Sequence, residues 1–299
     1  MPFFSIIIPT YNRRELLKQS LMSVWRQTFT DYELIVSDGG SADGTVEYLH
    51  SLGSRVRMLS QPNNGPGAAR NLGVAQARGD YLAFLDSDDL WFRWTLETYA
   101  AVIREANRPA FIAGKPFRFQ REDDLMRVSS EAMKSELFSD YLASCDEWRW
   151  WGVSSFVIRK DAMQKSGGFA ELNMNGEDAD LALKLGDAPG FVQIMSPRTF
   201  AYREHDCNLT SDLGKTIAGI WHKMRSEEDG QYPGGKKRAR ERWRILTRHV
   251  RPVALECLQK KMKHDAWELY RATFGWHVAL RRWKFLFGFP FKALLNSPS

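Results

Sequence analysis

Three aspartates follow a short apolar stretch within four residues. Tyr81 to Leu85 fits a buried strand, and Asp86, Asp88 and Asp89 come directly after it. Carboxylates this close repel one another and raise each other's pKa, so a surface turn rarely needs all three. A hard divalent ion such as Mg²⁺ or Mn²⁺ prefers oxygen ligands and leaves positions for phosphate oxygens. The stretch therefore indicates a metal site or a site for a hydroxyl-rich substrate, with a solvated acidic turn as the alternative.

The elements before these aspartates alternate between strand and helix patterns. Apolar runs predict strands at residues 3–8, 32–37, 56–59 and 81–85. One helix is expected to begin at Asn12, where Glu15 completes a capping-box pattern. A second follows Asp43 as its cap, and a third spans residues 68–77. This alternation predicts an α/β fold built on a parallel sheet with crossover helices.

Polar residues follow three of the predicted strands at the point where each strand ends. They are Pro9–Asn12, Asp38 and Asp86–Asp89. Ligands of open α/β sheets bind outside the carboxyl ends of the strands. We therefore expect these residues to meet in one crevice.

The composition is that of a globular protein with two unlike parts. The 299 residues are 43% hydrophobic and 26% charged, with a net charge of +6. Residues 214–299 carry 19 Lys and Arg against 7 Asp and Glu, whereas residues 1–213 carry 23 against 29. These counts predict an acidic α/β domain at residues 1–213 and a basic, aromatic helical tail at residues 214–299.

The cysteines and the lengths of the apolar runs indicate the cellular compartment of the protein. Cys145, Cys207 and Cys257 form no CxxC pair, which argues against a disulfide framework or a zinc site and fits a reducing compartment. The first apolar run is short for a signal-peptide core, and no stretch approaches the roughly 20 apolar residues of a membrane span. We expect a cytoplasmic protein.

Four motifs resemble, in order and spacing, those of the family 2 glycosyltransferases with the GT-A fold. They are "IIIPTYNR", "ELIVSDGGSADGT", "NNGPGAARNLGVAQARGDYLAFLDSDD" and "GGF…GEDADLALKL". Each is weak alone, but together they are specific, and the resemblance covers residues 3–211. It implies a Rossmann-like, mostly parallel central sheet with flanking helices. It also implies an inverting, metal-dependent transferase with a nucleotide-sugar donor.

The resemblance gives roles to the first two strand ends. Pro9, Thr10 and Tyr11 match the turn that holds the nucleotide base, although they also suit a plain strand-to-helix turn. Asp38 matches the acid that accepts a hydrogen bond from uracil, and a turn cap is the alternative. Gly39 departs from the family, which often has a second acid there, so the contact of that acid is absent.

Asp86 and Asp88 match the family's Asp-x-Asp motif. The resemblance implies that Asp86 contacts the ribose or the metal, and that Asp88 ligates an Mn²⁺ or Mg²⁺ ion bridging both phosphates. Arg70 matches a basic residue near the donor, but it could instead pair with a surface acid. His205 matches a histidine near the metal or pyrophosphate, although a lone histidine is more often structural. For Asp89 we expect a cap of the next helix.

The adjacent acids Glu177 and Asp178 match the pair that opens a helix beneath the acceptor. Asp178 best matches the general base, and Glu177 supports it or contacts the acceptor. Acids also favour a helix N-terminus for electrostatic reasons alone, and that position lowers a carboxylate pKa, so a base there needs burial. Trp150 and Trp151 are candidates for stacking on an acceptor sugar, with core packing as the alternative.

The basic tail predicts contact with a membrane surface. On a helical wheel Trp276, Leu280, Trp283 and Phe287 share one face, as in a helix lying in a membrane interface. Packing on the body, dimerisation and nucleic-acid binding are the alternatives, and the lack of a nucleic-acid motif argues against the last. We expect a peripheral protein at the inner face of the cell membrane.

The expected reaction moves a sugar from a nucleotide diphosphate sugar, taken to be a UDP-sugar, to a hydroxyl of a glycan or lipid-linked acceptor, as in surface polysaccharide synthesis. Assembly into a homo-oligomer is an open alternative to a monomer. One alternative is a catalytically silent binding module, which the intact Asp38, Asp86, Asp88 and Asp178 argue against. The other is a nucleotidyltransferase, whose Gly- and Lys-rich phosphate loop is missing from "PTYNRRE".

Overall fold

The computed structural model describes residues 1–147, 152–204 and 212–295. These residues divide into two compact units, between which the chain passes more than once. The first unit holds the described residues of Met1–Tyr141, Arg149–Asn173 and Glu177–Asn208, and the second those of Leu142–Trp148, Met174–Gly176 and Leu209–Ser299. The domains at residues 1–213 and 214–299 stay a prediction.

The first unit contains two sheets among its described residues. The strands are β1 Phe4–Thr10, β2 Tyr32–Asp38, β3 Arg57–Ser60, β4 Tyr81–Phe84, β5 Leu90–Trp91, β6 Phe111–Ala113, β7 Pro116–Phe119, β8 Lys134–Phe138, β9 Val157–Arg159, β10 Phe191–Ser196 and β11 Phe200–Arg203. The main sheet has the order β3-β2-β1-β4-β9-β6-β10-β8, and β5, β11 and β7 form the small one. Only β9 and β8 run against the other described strands of the main sheet. The mostly parallel α/β sheet is therefore confirmed.

Helices flank this sheet and share its core. They are α1 Arg14–Trp25, α2 Thr45–Ser51, α3 Gly65–Gln76, α4 Thr95–Glu105, α5 Lys160–Ser166 and α6 Glu177–Lys184. Leu17, Leu21 and Val24 recur at helical spacing in α1 and join Ile6 and Ile8 of β1 in one buried cluster. Burial of this stripe, rather than intrinsic propensity, holds the helix on the sheet.

The start of α1 differs from the predicted capping box. Asn12 has a left-handed backbone with φ +50°, and the helix begins at Arg14 without a cap from its own N-cap side chain. Glu15 instead pairs with Lys18 at 2.7 Å. Asp43 accepts the backbone N–H of Arg14 at 3.0 Å and that of Thr45 at 3.1 Å, so one carboxylate serves the first turns of both α1 and α2.

The second unit is helical. Its described helices are α7 Leu213–Glu228, α8 Ala239–Gln259, α9 Lys263–Ala272, α10 Phe274–Ala279 and α11 Trp283–Leu295. Their core joins Ile220 and Met224 of α7 to Val250 of α8, Leu269 of α9 and Phe289 of α11. None of the helices described is both long enough and apolar enough to span a bilayer.

The apolar face predicted for the tail is not continuous. Arg281, with φ +53°, lies between α10 and α11, so the four wheel positions do not share one helix. Trp276 stacks on Trp243 at 6.1 Å between ring centroids. The face that α11 exposes consists of Trp283, Phe287, Phe291, Leu294 and Leu295.

Candidate active site

The sheet register brings the predicted strand ends together. Thr10, the last residue of β1, lies opposite Asp38, the last residue of β2. On the other side of β1, Ile7 lies opposite Phe84 of β4, and the backbone N–H of Leu85 donates to Ile7 at 3.1 Å. Asp86 and the residues after it therefore leave the sheet at the same edge as Thr10 and Asp38.

Asp38 is fully buried and organises the turn after β2. Its carboxylate accepts the backbone N–H groups of Gly40 at 2.8 Å and Ser41 at 2.9 Å, and the Ser41 hydroxyl at 2.5 Å. These contacts are those of a turn cap, and the uracil contact stays a prediction. Tyr11 is 45% exposed, and its ring would lie at an ordinary contact distance of 3.4 Å from a Cβ at Gly39.

The three aspartates after β4 offer oxygens that all lie within 4.8 Å of one another. Asp89 is buried and accepts the Ser154 hydroxyl at 2.6 Å and the Arg203 backbone N–H at 3.1 Å. Burial, and then the charges of Asp88 and Asp86, raise its pKa well above the usual range. The helix cap predicted for Asp89 is therefore wrong, because β5 follows and both oxygens hold the loop instead.

Arg13 forms an ion pair with Asp88, and the Arg203 Nε donates to the Asp88 backbone oxygen at 3.0 Å. The pair links the residue before α1 to the residue expected to ligate a metal. Sequence reasoning missed Arg13, although its place directly after the first strand turn was a signal.

Arg70 of α3 connects the two acidic motifs. Its side chain is 3% exposed and pairs with Asp86 at 2.7 Å and with Glu177 at 2.9 Å. Burial alone would lower the pKa of Arg70, but the two carboxylates outweigh it and raise that pKa. Burial also raises the pKa of Asp86, against the pull of Arg70. Arg70 thus pairs with predicted site acids rather than with a surface acid.

Two hydrogen bonds and a close backbone approach clamp the "GGF" motif against α3. The Phe169 backbone N–H donates to Asn71 Oδ1 at 3.0 Å, and Asn71 Nδ2 donates to the Phe169 oxygen at 3.0 Å. A Cβ at Gly67 would lie 2.2 Å from the Ala170 oxygen, so only glycine lets the loop approach α3 this closely. The Arg70 guanidinium lies 5.1 Å from the Phe169 ring centroid.

Helix α6 presents the second acid pair. Asp178 Oδ1 accepts the backbone N–H of Ala179 at 2.7 Å. Lys184, at the other end of the helix, pairs with buried Asp180 at 2.8 Å and donates to the Gly168 oxygen at 3.2 Å. Lys184 therefore ties the C-terminal end of the helix to the "GGF" motif, and Arg70 holds Glu177 at its N-terminal end.

The residue directly before α6 in the chain, Gly176, belongs to the second unit. The Asn175 backbone N–H donates to the Lys215 oxygen at 3.1 Å, and Asn175 Nδ2 donates to the Asp212 oxygen at 3.1 Å. A Cβ at Gly219 would lie 1.9 Å from the Asn175 oxygen. Helix α7 thus holds this short segment by its backbone.

The acid cluster fits a hard divalent cation. Arg70 and Arg13 already pair with Asp86 and Asp88, and carboxylate oxygens gathered this closely also suit Mg²⁺ or Mn²⁺. Asp86 and Asp88 would hold the ion, since both oxygens of Asp89 are engaged with Ser154 and Arg203.

Three predicted site residues, His205, Trp150 and Trp151, lie outside the described residues. Pro9, Thr10 and Tyr11 line the end of β1, and the structure brings Asp38, Asp86, Asp88, Arg70 and Glu177 to the same sheet edge and its neighbouring helices. Besides Arg13, sequence reasoning missed Asn71, Ser154 and Arg203. Their contacts with Asp89, Phe169 and Asp88 span 65 to 115 positions, so no local pattern marks them.

Comparison with known proteins agrees with this geometry. The family model for glycosyl transferase family 2 matches residues 5–166. A GalNAc(5)-diNAcBac-PP-undecaprenol beta-1,3-glucosyltransferase from Campylobacter jejuni is 39% identical over 103 residues, which are 33% of this chain and 33% of the relative. Several curated relatives with similar sequences are matched over 17% to 37% of their own length, so the chain spans well under two thirds of them.

Two solved structures share the fold. Staphylococcus aureus TarS 1–349 in complex with UDP gives a TM-score of 0.61 at 19% identity, covering 83% of this chain and 70% of that one. The mannosyltransferase PcManGT from Pyrobaculum calidifontis, in complex with GDP-Man and Mn²⁺, gives a TM-score of 0.58 at 17% identity. The match covers 99% of this chain and 86% of that one. These likenesses confirm the predicted GT-A fold.

Proposed function

The chain belongs to the family 2 glycosyltransferases, and on that basis we propose that it transfers a sugar from a nucleotide diphosphate sugar to an acceptor hydroxyl, with inversion. The observation that carries the proposal is the position of Arg70. Its buried guanidinium pairs with Asp86 of the donor-side motif and with Glu177 of the acceptor-side pair. Two acidic groups with different tasks are thereby held at a fixed spacing, as a displacement between two substrates needs.

The proposed chemistry needs one proton acceptor. The acceptor oxygen attacks the anomeric carbon from the face opposite the diphosphate, the bond from that carbon to the diphosphate oxygen breaks, and the hydroxyl proton passes to the Asp178 carboxylate. General-base assistance of this kind is worth about 10²–10⁴-fold. A divalent ion held by Asp86 and Asp88 would offset negative charge on the diphosphate. No covalent intermediate is needed, so configuration inverts.

The proposed donor is a UDP-sugar. Asp38 and Tyr11 lie at the adjoining ends of β1 and β2, where a base would meet one aromatic ring and one carboxylate. The structure of TarS with UDP and that of PcManGT with GDP-Man and Mn²⁺ support a nucleotide donor in this fold. His205 is proposed as a further metal or pyrophosphate contact.

The proposed acceptor is a glycan or a lipid-linked sugar of surface polysaccharide synthesis. The name of the Campylobacter jejuni relative, which includes PP-undecaprenol, supports a lipid-linked acceptor. Trp150 and Trp151 are proposed to stack on acceptor sugars.

We also propose that the protein is a peripheral protein at the inner face of the cell membrane. The exposed face of α11 supports this, because Trp283, Phe287 and Phe291 are 50%, 74% and 63% exposed beside the exposed Lys284 and Lys292. Apolar burial and attraction to anionic lipid act together on such a helix.

A donor screen tests the proposal. Purified full-length protein, Mn²⁺, a panel of nucleotide sugars and a mixed glycan acceptor extract are assayed for nucleotide release. Release from one donor should depend on the acceptor and on the metal, and should be lost in Asp88→Ala and Asp178→Asn. Donor binding by calorimetry without release from any donor would favour a silent binding module instead.

A further inference from the structure

Four arginines gather in the second unit. Helix α8 carries Arg244, Arg248 and Arg251, whose spacing of four and three residues puts them on one side of the helix. Arg282, just before α11, donates from Nη2 to the Arg244 backbone oxygen at 3.5 Å. We call these four residues the arginine cluster.

The arginines of the cluster differ in their partners. Arg244 pairs with Asp146 at 3.0 Å, and Arg248 donates to the Glu147 backbone oxygen. Across residues 1–147, 152–204 and 212–295, neither Arg251 nor Arg282 forms an ion pair with a carboxylate. The buried Nε of Arg282 also lacks a hydrogen-bond partner in that part of the chain. A buried polar group of this kind usually has a partner, which here would be a bound group.

Partial burial makes the missing counter-charge costly. Burial, followed by the charges of Arg251, Arg248 and Arg244, lowers the pKa of Arg282 to about 10. The same unit compensates another buried guanidinium fully: Arg242 pairs with the buried Glu227 through two bonds of 2.5 and 3.1 Å. Neither Arg251 nor Arg282 has such a carboxylate fork among the described residues.

We propose that Arg244, Arg248, Arg251 and Arg282 form a binding site for the phosphate or diphosphate group of a ligand. Guanidinium groups bind phosphate oxygens through paired, charge-assisted hydrogen bonds, and a multiply charged anion relieves the repulsion among the four cations. No residue of this site belongs to the candidate donor and metal site.

The phosphate group has two possible sources, a lipid or a soluble molecule, and the sequence after the cluster favours the lipid. Trp283 follows Arg282 directly and opens the exposed apolar face of α11. If the phosphate is that of a lipid diphosphate, the site binds the lipid-linked acceptor, and that identification rests on the proposed function. The binding of phosphate itself does not.

The test is calorimetry on the full-length protein in EDTA, with farnesyl diphosphate, inorganic pyrophosphate and farnesol as probes. EDTA removes metal-dependent binding at Asp86 and Asp88, and the Asp88→Ala chain is measured in parallel as a check. We expect farnesyl diphosphate to bind both chains, and farnesol to bind at least about tenfold more weakly. The double variant R251Q/R282Q should raise the Kd for farnesyl diphosphate at least about tenfold. The control Arg271→Gln removes an exposed arginine that pairs with Glu268 at 3.4 Å and should leave the Kd unchanged.

The probes separate the sources. Tighter binding of farnesyl diphosphate than of pyrophosphate assigns the site to a lipid, and equal binding assigns it to a soluble phosphate. Equal affinity of wild type and R251Q/R282Q for both phosphate probes overturns the proposal. So does binding to phosphatidylglycerol vesicles with no binding of either phosphate probe, because the cluster would then serve a bilayer surface. Phosphate binding without sugar transfer would contradict the proposed function alone.

Folding of the variant is a separate readout. Because neutralising two of four like charges relieves repulsion, R251Q/R282Q should melt at the wild-type temperature or above it. If R251Q/R282Q does not fold, the wild-type and Asp88→Ala proteins still test the proposal. Pyrophosphate in EDTA should raise the Tm of both proteins relative to NaCl of equal ionic strength. No rise in either would overturn the proposal.

Discussion

Arg70 and Glu177 are 107 positions apart in the sequence, yet their side chains form a buried ion pair of 2.9 Å. The same guanidinium holds Asp86 at 2.7 Å. One cation on α3 thus fixes the acids after β4 relative to the acid pair that opens α6.

Replacing Arg70 by methionine should destabilise the fold by about 3–5 kcal/mol, because two partly buried carboxylates lose their counter-charge. Lysine keeps the charge but cannot bond both acids in the way that a guanidinium does. The stability of Arg70→Lys should therefore lie between those of wild type and Arg70→Met. Urea unfolding measures both. The matched control is Arg104→Met, at an exposed arginine paired with Glu97, and should change stability by less than about 0.5 kcal/mol. Equal unfolding midpoints for Arg70→Met and wild type would show that the bridge is not stabilising.

Asp178→Asn should lower turnover by at least about 10²-fold while donor binding persists, because only proton transfer is lost. Steady-state kinetics with the donor found in the screen, together with donor calorimetry, measures the two effects separately. Asp187→Asn, an exposed acid in the loop after α6, is the matched control. Normal turnover in the Asp178 variant would move the base elsewhere, with Glu177 the first candidate.

Asp88→Ala and Arg13→Gln should act in opposite directions on metal binding. Alanine removes a carboxylate ligand, so UDP should no longer bind in a Mn²⁺-dependent way. Glutamine removes the cation that pairs with Asp88, so Mn²⁺ alone should bind more tightly than in wild type. Calorimetry with Mn²⁺, with and without UDP, checks both. An unchanged metal dependence in Asp88→Ala would end the assignment of Asp88 as a ligand.

Stability should fall in acid partly through His277. Its imidazole is fully buried, and burial, followed by the charges of Arg251 and Arg282, lowers its pKa to about 3 from an ordinary value of 6.5. Between these values the unfolded chain binds the extra proton, so stability is lost as pH falls below about 6.5, by at most about 1.4 kcal/mol per unit. Between pH 7 and pH 5, the free energy of unfolding in urea should fall less for His277→Leu than for wild type. The control His264→Asn, at an exposed histidine, should lose as much stability as wild type. Parallel pH profiles for wild type and His277→Leu would refute the assignment; the raised pKa of Asp89 acts equally on both.

The exposed face of α11 should bind anionic vesicles. Phe287→Ser with Phe291→Ser removes apolar area and should reduce co-sedimentation of the full-length protein at low and at high salt. The electrostatic part should weaken with salt, because the Debye length shrinks from about 10 Å at 0.1 M to about 3 Å at 1 M. The control Met126→Ser removes an exposed apolar side chain from the first unit. Sedimentation that is insensitive to the double substitution would place any membrane contact elsewhere.

Local patterns in the sequence predicted β1, β2, β3 and β4, and the parallel pairing of these strands puts their carboxyl ends at one edge of the sheet. Strand β9, Val157–Arg159, was beyond such patterns, since three residues carry no period and their place is set by antiparallel pairing with β4 and β6. The partners of the site acids were missed for the same reason, as with Arg13 and Asp88, which are 75 positions apart. The prediction of one apolar face in the tail was wrong for a different reason. A helical wheel assumes one unbroken helix, whereas the left-handed backbone of Arg281 separates α10 from α11.

The contacts between α7 and Asn175 can form only late in the synthesis of the chain. The oxygens that Asn175 Nδ2 reaches belong to Asp212 and Thr216, which leave the ribosome 37 and 41 residues later. Until then the segment that leads into α6 has no backbone partner in α7, however complete the upstream sheet. An expression fragment that stops before Leu213 should therefore keep the contacts of Arg70 and Lys184 with α6, but it lacks the α7 contacts of Asn175 and Gly176.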